Sequence, residues 1–304
     1  MTNFKPLTIE ERDLFTDIFK NYQPVTSELS FSYLYMWRGD YNLSWDIIED
    51  YLCLVSKSEY YSPFAFCPIP VDGKKNDLNF RKALNALEEH FAKENLTLIF
   101  GRVPEGLLAD LQSVYQERIE VEFLDWASDY VYEVSNLISL PGKKLRKKRN
   151  HINKFLREYG SYEYVPIDET NKNECRRIFE EWCDKNDNCN ERRVSCERMA
   201  CYELINNWSK LPLKGAFIKV NGNFEAFTIG EKLNDYTAVV HVEKGNSDIH
   251  GIYPLINRDF CINEWRDLKY INREEDMGIE GLRKSKLSYN PDLMVKKFLV
   301  KVLH

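Results

Sequence analysis

No stretch of this chain approaches the roughly 20 consecutive apolar residues that cross a bilayer. Its first residues, MTNFKPLTIEERDLF, lack the basic, apolar and small-residue zones of a secretory signal. Both absences predict a cytoplasmic protein. The eight cysteines (53, 67, 175, 183, 189, 196, 201 and 261) include no CxxC pair. In a reducing compartment they read as free thiols. Five of them crowd into 175–201 with no histidine among them, which suits helix packing better than zinc. The five histidines form no HExxH, and no GxSxG elbow marks a hydrolase serine. Asp184-x-Asn186-x-Asn188 opens like a calcium loop, but Cys189 and Ser195 stand where glycine and glutamate are needed. No metal is therefore expected. Positive charge is also short: 42 Lys and Arg against 48 Asp and Glu, net −6. A site for a polyanion has to be local.

What the chain does have is length and aromatic bulk. Its 304 residues suggest two domains, and 13% aromatic content supplies large cores without disulfides. In the first half, Thr8 and Glu11 form a capping box ahead of a helix, and a second helix is expected near 30–37. Strands follow at 50–56 and 63–68, then a helix at 80–94 with Leu84, Leu87 and Phe91 on one face. A strand at 96–102, a short helix at 104–111 and a strand at 129–134 complete this half. The second half starts with a basic helix (142–159), a strand (162–166) and two helices (173–185 and 195–211). Strands at 214–220 and 224–233 flank Asn221-Gly222, a two-residue hairpin signal. A strand at 237–243, a loop with glycine (244–251), a helix (252–266), a strand (269–272), a helix (278–285) and a last strand (295–303) follow. Both halves thus read as α+β, with mixed, mostly antiparallel sheets flanked by helices. The domain expectation is 1–135 and 136–304.

Three stretches carry the candidate chemistry. Residues 143–157, KKLRKKRNHINKFLR, hold eight Lys or Arg and no acid. Leu145, Ile152, Phe155, Leu156 and Tyr159 give the helix a packing face, while Lys144, Lys147, Lys148 and Lys154 point largely elsewhere. Eight like charges repel unless acids or an anionic ligand answer them, so a phosphate-rich partner (tRNA, a phospholipid head group or a nucleotide) is one reading and an ordinary solvated face the other. The strand–loop–helix from Ala238 to Asn257 has the frame in which GNAT acyltransferases hold coenzyme A phosphates on loop amides and a helix N-terminus. Its window, Asp248-x-x-Gly251-x-Tyr253, keeps the middle glycine but is acidic at the first position and bulky at the last, which disfavours coenzyme A. Finally, Arg273-Glu274-Glu275-Asp276 could answer the basic helix, bind an amino group or position a base.

The runs GKKLRKKRNHINKFLREYG, HVEK…GIYPLIN and YINREEDMGIEGLRKSKLSYNP together resemble the bacterial family that shares a domain with the C-terminus of phosphatidylglycerol lysyltransferases. It is similar to the Fem-type aminoacyltransferases. The resemblance implies a tandem GNAT-like fold whose C-terminal lobe carries the active site. The implied function is transfer of an activated, tRNA-borne aminoacyl group to an amine or hydroxyl of a lipid, peptide or small molecule. No cofactor is implied. Lys286 and Pro291 look like the Lys-x-x-Phe-x-Pro portion near the synthases' end, with Tyr289 in place of Phe, so Lys286 is expected near the ester. Glu243, Glu275 and Asp276 are candidates for orienting or deprotonating the acceptor. Lys143, Arg146 and Arg149 are assigned to donor phosphates. Tyr253, Asn257, Arg273 and Tyr289 are assigned to substrate binding. The membrane domain of the full synthases has no counterpart in this sequence, which leaves the acceptor open. A coenzyme A-dependent N-acyltransferase and a non-catalytic tRNA-binding protein are the alternatives.

Overall fold

The computed structural model describes residues 2–185 and 192–303, and side chains at all of these except 192–194. The calcium-like positions 186 and 188 and Cys189 lie outside the described residues. The chain divides into two compact units: residues 1–129 with 295–304, and 130–294.

The first unit opens with β1 (Lys5–Pro6), then the Thr8–Glu11 capping box closes a single 3-10 turn that runs into α1 (Arg12–Tyr22). Next come α2 (Phe31–Tyr41), β2 (Leu43–Ile48) and β3 (Tyr51–Ser56). β2 and β3 make a hairpin in which Glu49 and Asp50 both have positive φ. The chain continues through β4 (Phe64–Ala65), β5 (Ile69–Pro70), α3 (Asp77–Ala92), β6 (Ile99–Pro104), α4 (Glu105–Tyr115) and β7 (Ile119–Phe123). Asn76 caps α3 by accepting from the amides of Leu78 and Asn79. That helix buries Phe80, Ala83, Leu84, Leu87 and Phe91 against the sheet, the stripe its 3.6-residue period dictates.

The second unit starts at β8 (Asp129–Glu133) and α5 (Val134–Ser139). α6 (Arg146–Tyr159), the basic helix, precedes β9 (Glu163–Pro166), α7 (Glu174–Asp184) and α8 (Arg192–Asn206). β10 (Leu213–Val220) and β11 (Asn223–Lys232) form the expected hairpin; Asn221 and Gly222 sit at φ 50° and 86°, as a two-residue turn matched to strand twist requires. β12 (Thr237–Gly245), α9 (Ile252–Glu264), β13 (Tyr270–Asn272), α10 (Glu280–Leu287) and β14 (Leu293–Val295) follow. The sheet order is β14-β8-β13-β12-β11-β10-β9, and β12 with β13 is a parallel pair. α6 and α9 cover one face through Ile152, Phe155, Ile252, Leu255 and Ile256.

The last strand, β15 (Lys297–Val302), returns to the first unit and pairs with both β6 and β7. A single cut after residue 135 is therefore replaced by an inserted second unit. Charge explains the return as well as strand pairing. Lys297 is fully buried, 2.6 Å from both Glu28 and Asp129, and Arg102 lies 2.8 Å from Glu28. A buried lysine and a half-buried arginine answer two buried anions, the arrangement that makes such burial tolerable. Both units carry the expected α+β, mostly antiparallel, helix-flanked plan.

Candidate active site

β12 and β13 are paired only at Thr237–Tyr270, Ala238–Ile271 and Val239–Asn272. Beyond those residues β12 runs on alone beside β11, so a gap opens between its second half and the turn after Asn272. A β-bulge decides what faces that gap. β11 pairs Ile229 with Val242 but Gly230 with Val240, which leaves His241 as the extra residue. Ala238 and Val240 belong to the core under α6 and α9. Strict alternation would send 242 and 244 to that face. Instead Glu243 meets Asn257 of α9, whereas Lys244 goes to the other side, onto Glu197 and the rings of Phe179 and Trp182. Gly230 permits the bulge, since a Cβ there would sit 2.3 Å from the Val239 carbonyl oxygen.

Glu243 is the centre of the group in the gap. Arg273 Nη2 donates to its Oε1 at 3.0 Å, and Asn257 Nδ2 donates to its Oε2 at 3.4 Å. The Tyr289 ring packs under the Arg273 guanidinium at 4.9 Å and under Lys148 Nζ at 3.9 Å. Burial opposes the charge on Arg273, yet Glu243 outweighs it and raises its pKa. Lys148 has no carboxylate in contact among the described residues: burial, helped by Arg273 and only partly opposed by Glu243, pulls its pKa down to about 8. Burial also raises the Tyr289 and Tyr132 phenols. Among the described residues, two buried atoms here have no hydrogen-bond partner, Nη1 of Arg273 and Oδ1 of Asn257. An orphaned donor and an orphaned acceptor in one polar group are costly to leave dry.

The turn after β13 is held from beneath. Lys286 Nζ donates to the carbonyls of Arg273, Glu274 and Glu275. His241 bridges Glu231 at 2.9 Å and Glu274 at 2.8 Å across the gap. Burial works against its charge, but the two carboxylates prevail and lift its pKa to about 9. Glu274 itself is raised by burial. Asp276 accepts from Tyr130 Oη at 2.6 Å and Arg283 Nε at 2.8 Å, and these bonds lower its pKa against the effect of burial.

Of the residues expected from sequence, Glu243, Asn257, Arg273 and Tyr289 are brought together. Lys286 is not with them: its ammonium is engaged by three carbonyls of the turn. Asp276 is likewise engaged, by Tyr130 and Arg283, and Glu275 is buried beside Glu274. Tyr253 is tied to Gly245, donating to its carbonyl at 3.0 Å. On the basic helix, Lys143 and Arg146 are exposed. Arg149 instead donates to the carbonyls of Leu140 and Gly142, closing the C-terminal end of α5. Lys148, which the sequence reading placed away from the packing face, is the basic-helix residue that reaches the Glu243 group. Its position one turn before Ile152 was the available signal.

The loop ahead of α9 is closed on itself. Asn246 N donates to Glu225 O, Asp248 N to Asn246 Oδ1, Ile249 N to Asn246 O and Ile252 N to Ile249 O. Asp248 pairs with Lys185 at 2.6 Å. A Cβ on Gly251, the N-cap of α9 at φ 90°, would lie 2.4 Å from the His151 carbonyl oxygen, so α6 covers this helix end.

Comparison with known proteins agrees with this architecture. A conserved protein of unknown function from Bacteroides thetaiotaomicron VPI-5482 superposes with a TM-score of 0.93 at 35% identity, covering 99% of this chain and 100% of that one. The structure of L-PGS from Bacillus licheniformis gives 0.67 at 14% identity, covering 98% and 92%. FemX gives 0.66 at 8% identity, covering 99% and 97%. The last two identities speak for the fold alone. The family described as phosphatidylglycerol lysyltransferase, C-terminal, matches residues 19–301. This chain belongs to the phosphatidylglycerol lysyltransferase C-terminal family.

Proposed function

We propose that the chain is an aminoacyl transferase that moves an aminoacyl group from a tRNA-borne ester to an amine or hydroxyl acceptor. The observation that carries this reading is the pair of orphaned buried atoms around Glu243. A ligand that satisfies both must offer an acceptor to Arg273 Nη1 and a donor to Asn257 Oδ1. The carbonyl oxygen and α-amino group of an aminoacyl ester do both, whereas a plain acyl chain offers no donor.

In the proposed reaction the acceptor nitrogen or oxygen attacks the ester carbon. Arg273 Nη1 stabilises the charge that develops on the carbonyl oxygen. Glu243 keeps Arg273 and Asn257 in place by its two hydrogen bonds. Lys148, with a pKa near 8, takes the acceptor's proton and returns it to the ribose oxygen as the ester C–O bond breaks. Lys143 and Arg146 remain for donor phosphates; Arg149 and Lys286 act as supports. The chemistry calls for no cofactor. Coenzyme A is the poorer donor because the amides of Asn246, Asp248, Ile249 and Ile252 are already bonded and Asp248 stands beside them.

The test is transfer of radiolabel from a mixed aminoacyl-tRNA pool to lipid, peptide and small-amine acceptors. Wild type should transfer label. Glu243→Gln should lose about 100-fold or more, as expected where an oxyanion donor is mispositioned. Lys148→Met should abolish the rise in rate through pH 8. Salt-sensitive tRNA binding with the aminoacyl ester left intact would instead support a non-catalytic tRNA-binding protein, and tight coenzyme A binding would overturn the choice of donor.

A further inference from the structure

β7 is the end strand of the first unit's sheet, paired with β15 alone among the described strands. Its register against β15 is unbroken, from Ile119–Val302 to Phe123–Phe298, so no bulge twists the edge away. Natural sheet edges are usually protected by a bulge, a proline, a lysine or shortness. β7 has no bulge, proline or lysine, and its charged residues are Glu120 and Glu122, which admit a basic partner and repel an acidic one; β1 at the opposite end is two residues long. The strand, IEVEF, is exposed at every residue from Glu120 to Phe123. Alternation gives it two unlike faces. Val121 and Phe123 form an apolar row, 42% and 47% exposed, and Trp126 lies just beyond at 44%. Glu120 and Glu122 form an acidic row. Glu120 pairs with Lys301 at 3.1 Å, while Glu122 has no ion-pair partner among the described residues.

We infer that β7 is a strand-addition site for an extended segment of another protein in which Lys or Arg alternates with apolar residues. Main-chain hydrogen bonds to the free edge would give affinity, and the two side-chain rows would give specificity. The basic residues would face Glu120 and Glu122, the apolar ones Val121 and Phe123. A second copy of this chain fits poorly. Antiparallel self-pairing centred on Val121 sets each Glu120 opposite the other copy's Glu122. Centred on Glu120, it sets the two Glu120 residues face to face. Shifting by one residue puts glutamate opposite the apolar row. Each register either opposes like charges or breaks the apolar row. A nucleic acid is excluded by the sign of the charge.

The experiment is a fluorescence-anisotropy titration of the full chain with a labelled peptide of about nine residues, Lys alternating with Val and Phe, long enough to span one strand. A control peptide of the same sequence is N-methylated at every second amide, which removes one edge of backbone donors without changing charge. We expect the plain peptide to bind and the methylated one to bind at least about tenfold more weakly, because the backbone ladder carries the affinity. The exposed double variant Glu120→Lys/Glu122→Lys should weaken the plain peptide by a similar factor. Equal binding of both peptides would reduce the site to charge attraction and overturn strand addition. Unchanged binding to the double variant would remove the site from β7. Concentration-dependent self-association in sedimentation, abolished by Val121→Lys, would place a second copy there and overturn the proposed partner.

Discussion

Replacing Lys286 with methionine separates a supporting role from a role at the ester without any substrate being known. Lys286 is 7% exposed, and methionine keeps most of its stem while removing the ammonium. The substitution leaves the carbonyls of Arg273, Glu274 and Glu275 without their donor. Hydrogen bonds to charged groups contribute about 1.5–3 kcal/mol each. Three would sum to about 4.5–9 kcal/mol, but they share one ammonium whose own desolvation opposes folding. A net loss of about 3–5 kcal/mol follows, the range seen when one partner of a buried charged set is removed. For a unit of this size, each kcal/mol lowers Tm by about 2–4 °C, so the variant should melt roughly 6–20 °C below wild type. The assay is calorimetry, with urea unfolding followed by tryptophan fluorescence to obtain the free energy. Trp208 and Trp265 report from the second unit. If Lys286→Met lost less than about 1 kcal/mol, the three bonds would be doing little. Lys286 would then return to consideration at the ester.

His241 should impose a pH dependence on stability. Its folded pKa is raised to about 9 from an ordinary 6.5, so its contribution is complete below about pH 6.5 and is lost as pH rises through 9. His241→Asn should flatten the fall in urea midpoint between pH 6.5 and 9; an unchanged slope would show that the imidazole is not charged between Glu231 and Glu274. Gly230→Ala should cost about 1–3 kcal/mol, as overpacking does, because its Cβ would meet the Val239 carbonyl oxygen at 2.3 Å. It should also disable transfer more severely than that loss of stability explains, since the bulge aims Glu243. Transfer at wild-type rate in a folded Gly230→Ala protein would refute the role given to the bulge.

Much of the local structure was legible. The Thr8–Glu11 box, the Asn221-Gly222 hairpin and the apolar stripe of α3 each follow from a short-range rule, and each is present. The basic helix was legible as a helix but not in its use. Arg149 looked like a phosphate ligand because its charge shows in the sequence, whereas the carbonyls of Leu140 and Gly142 that claim it do not. Lys286 is expected at the ester for the same reason: the backbone carbonyls that engage its ammonium carry no letter in the sequence. Lys148 was underrated because its depressed pKa arises from burial beside Arg273, a consequence of packing between α6 and the strand gap.

By itself the sequence determined the α+β class, most of the longer helices and strands, and a family resemblance that extends through both units; β2, β7 and α5 are not among the elements expected from it. Hydrophobic periodicity, capping residues and turn chemistry act over a few residues and can be read locally. Tertiary structure alone decided where the chain is divided and which charges meet. β15 joins the first unit by pairing with β6 and β7, which sets Lys297 against Glu28 and Asp129, partners about 270 and 170 residues away. Glu243 enters the candidate site because one extra residue at His241 reverses the alternation of β12. Such outcomes depend on register and long-range charge pairing, which become defined only when distant strands align.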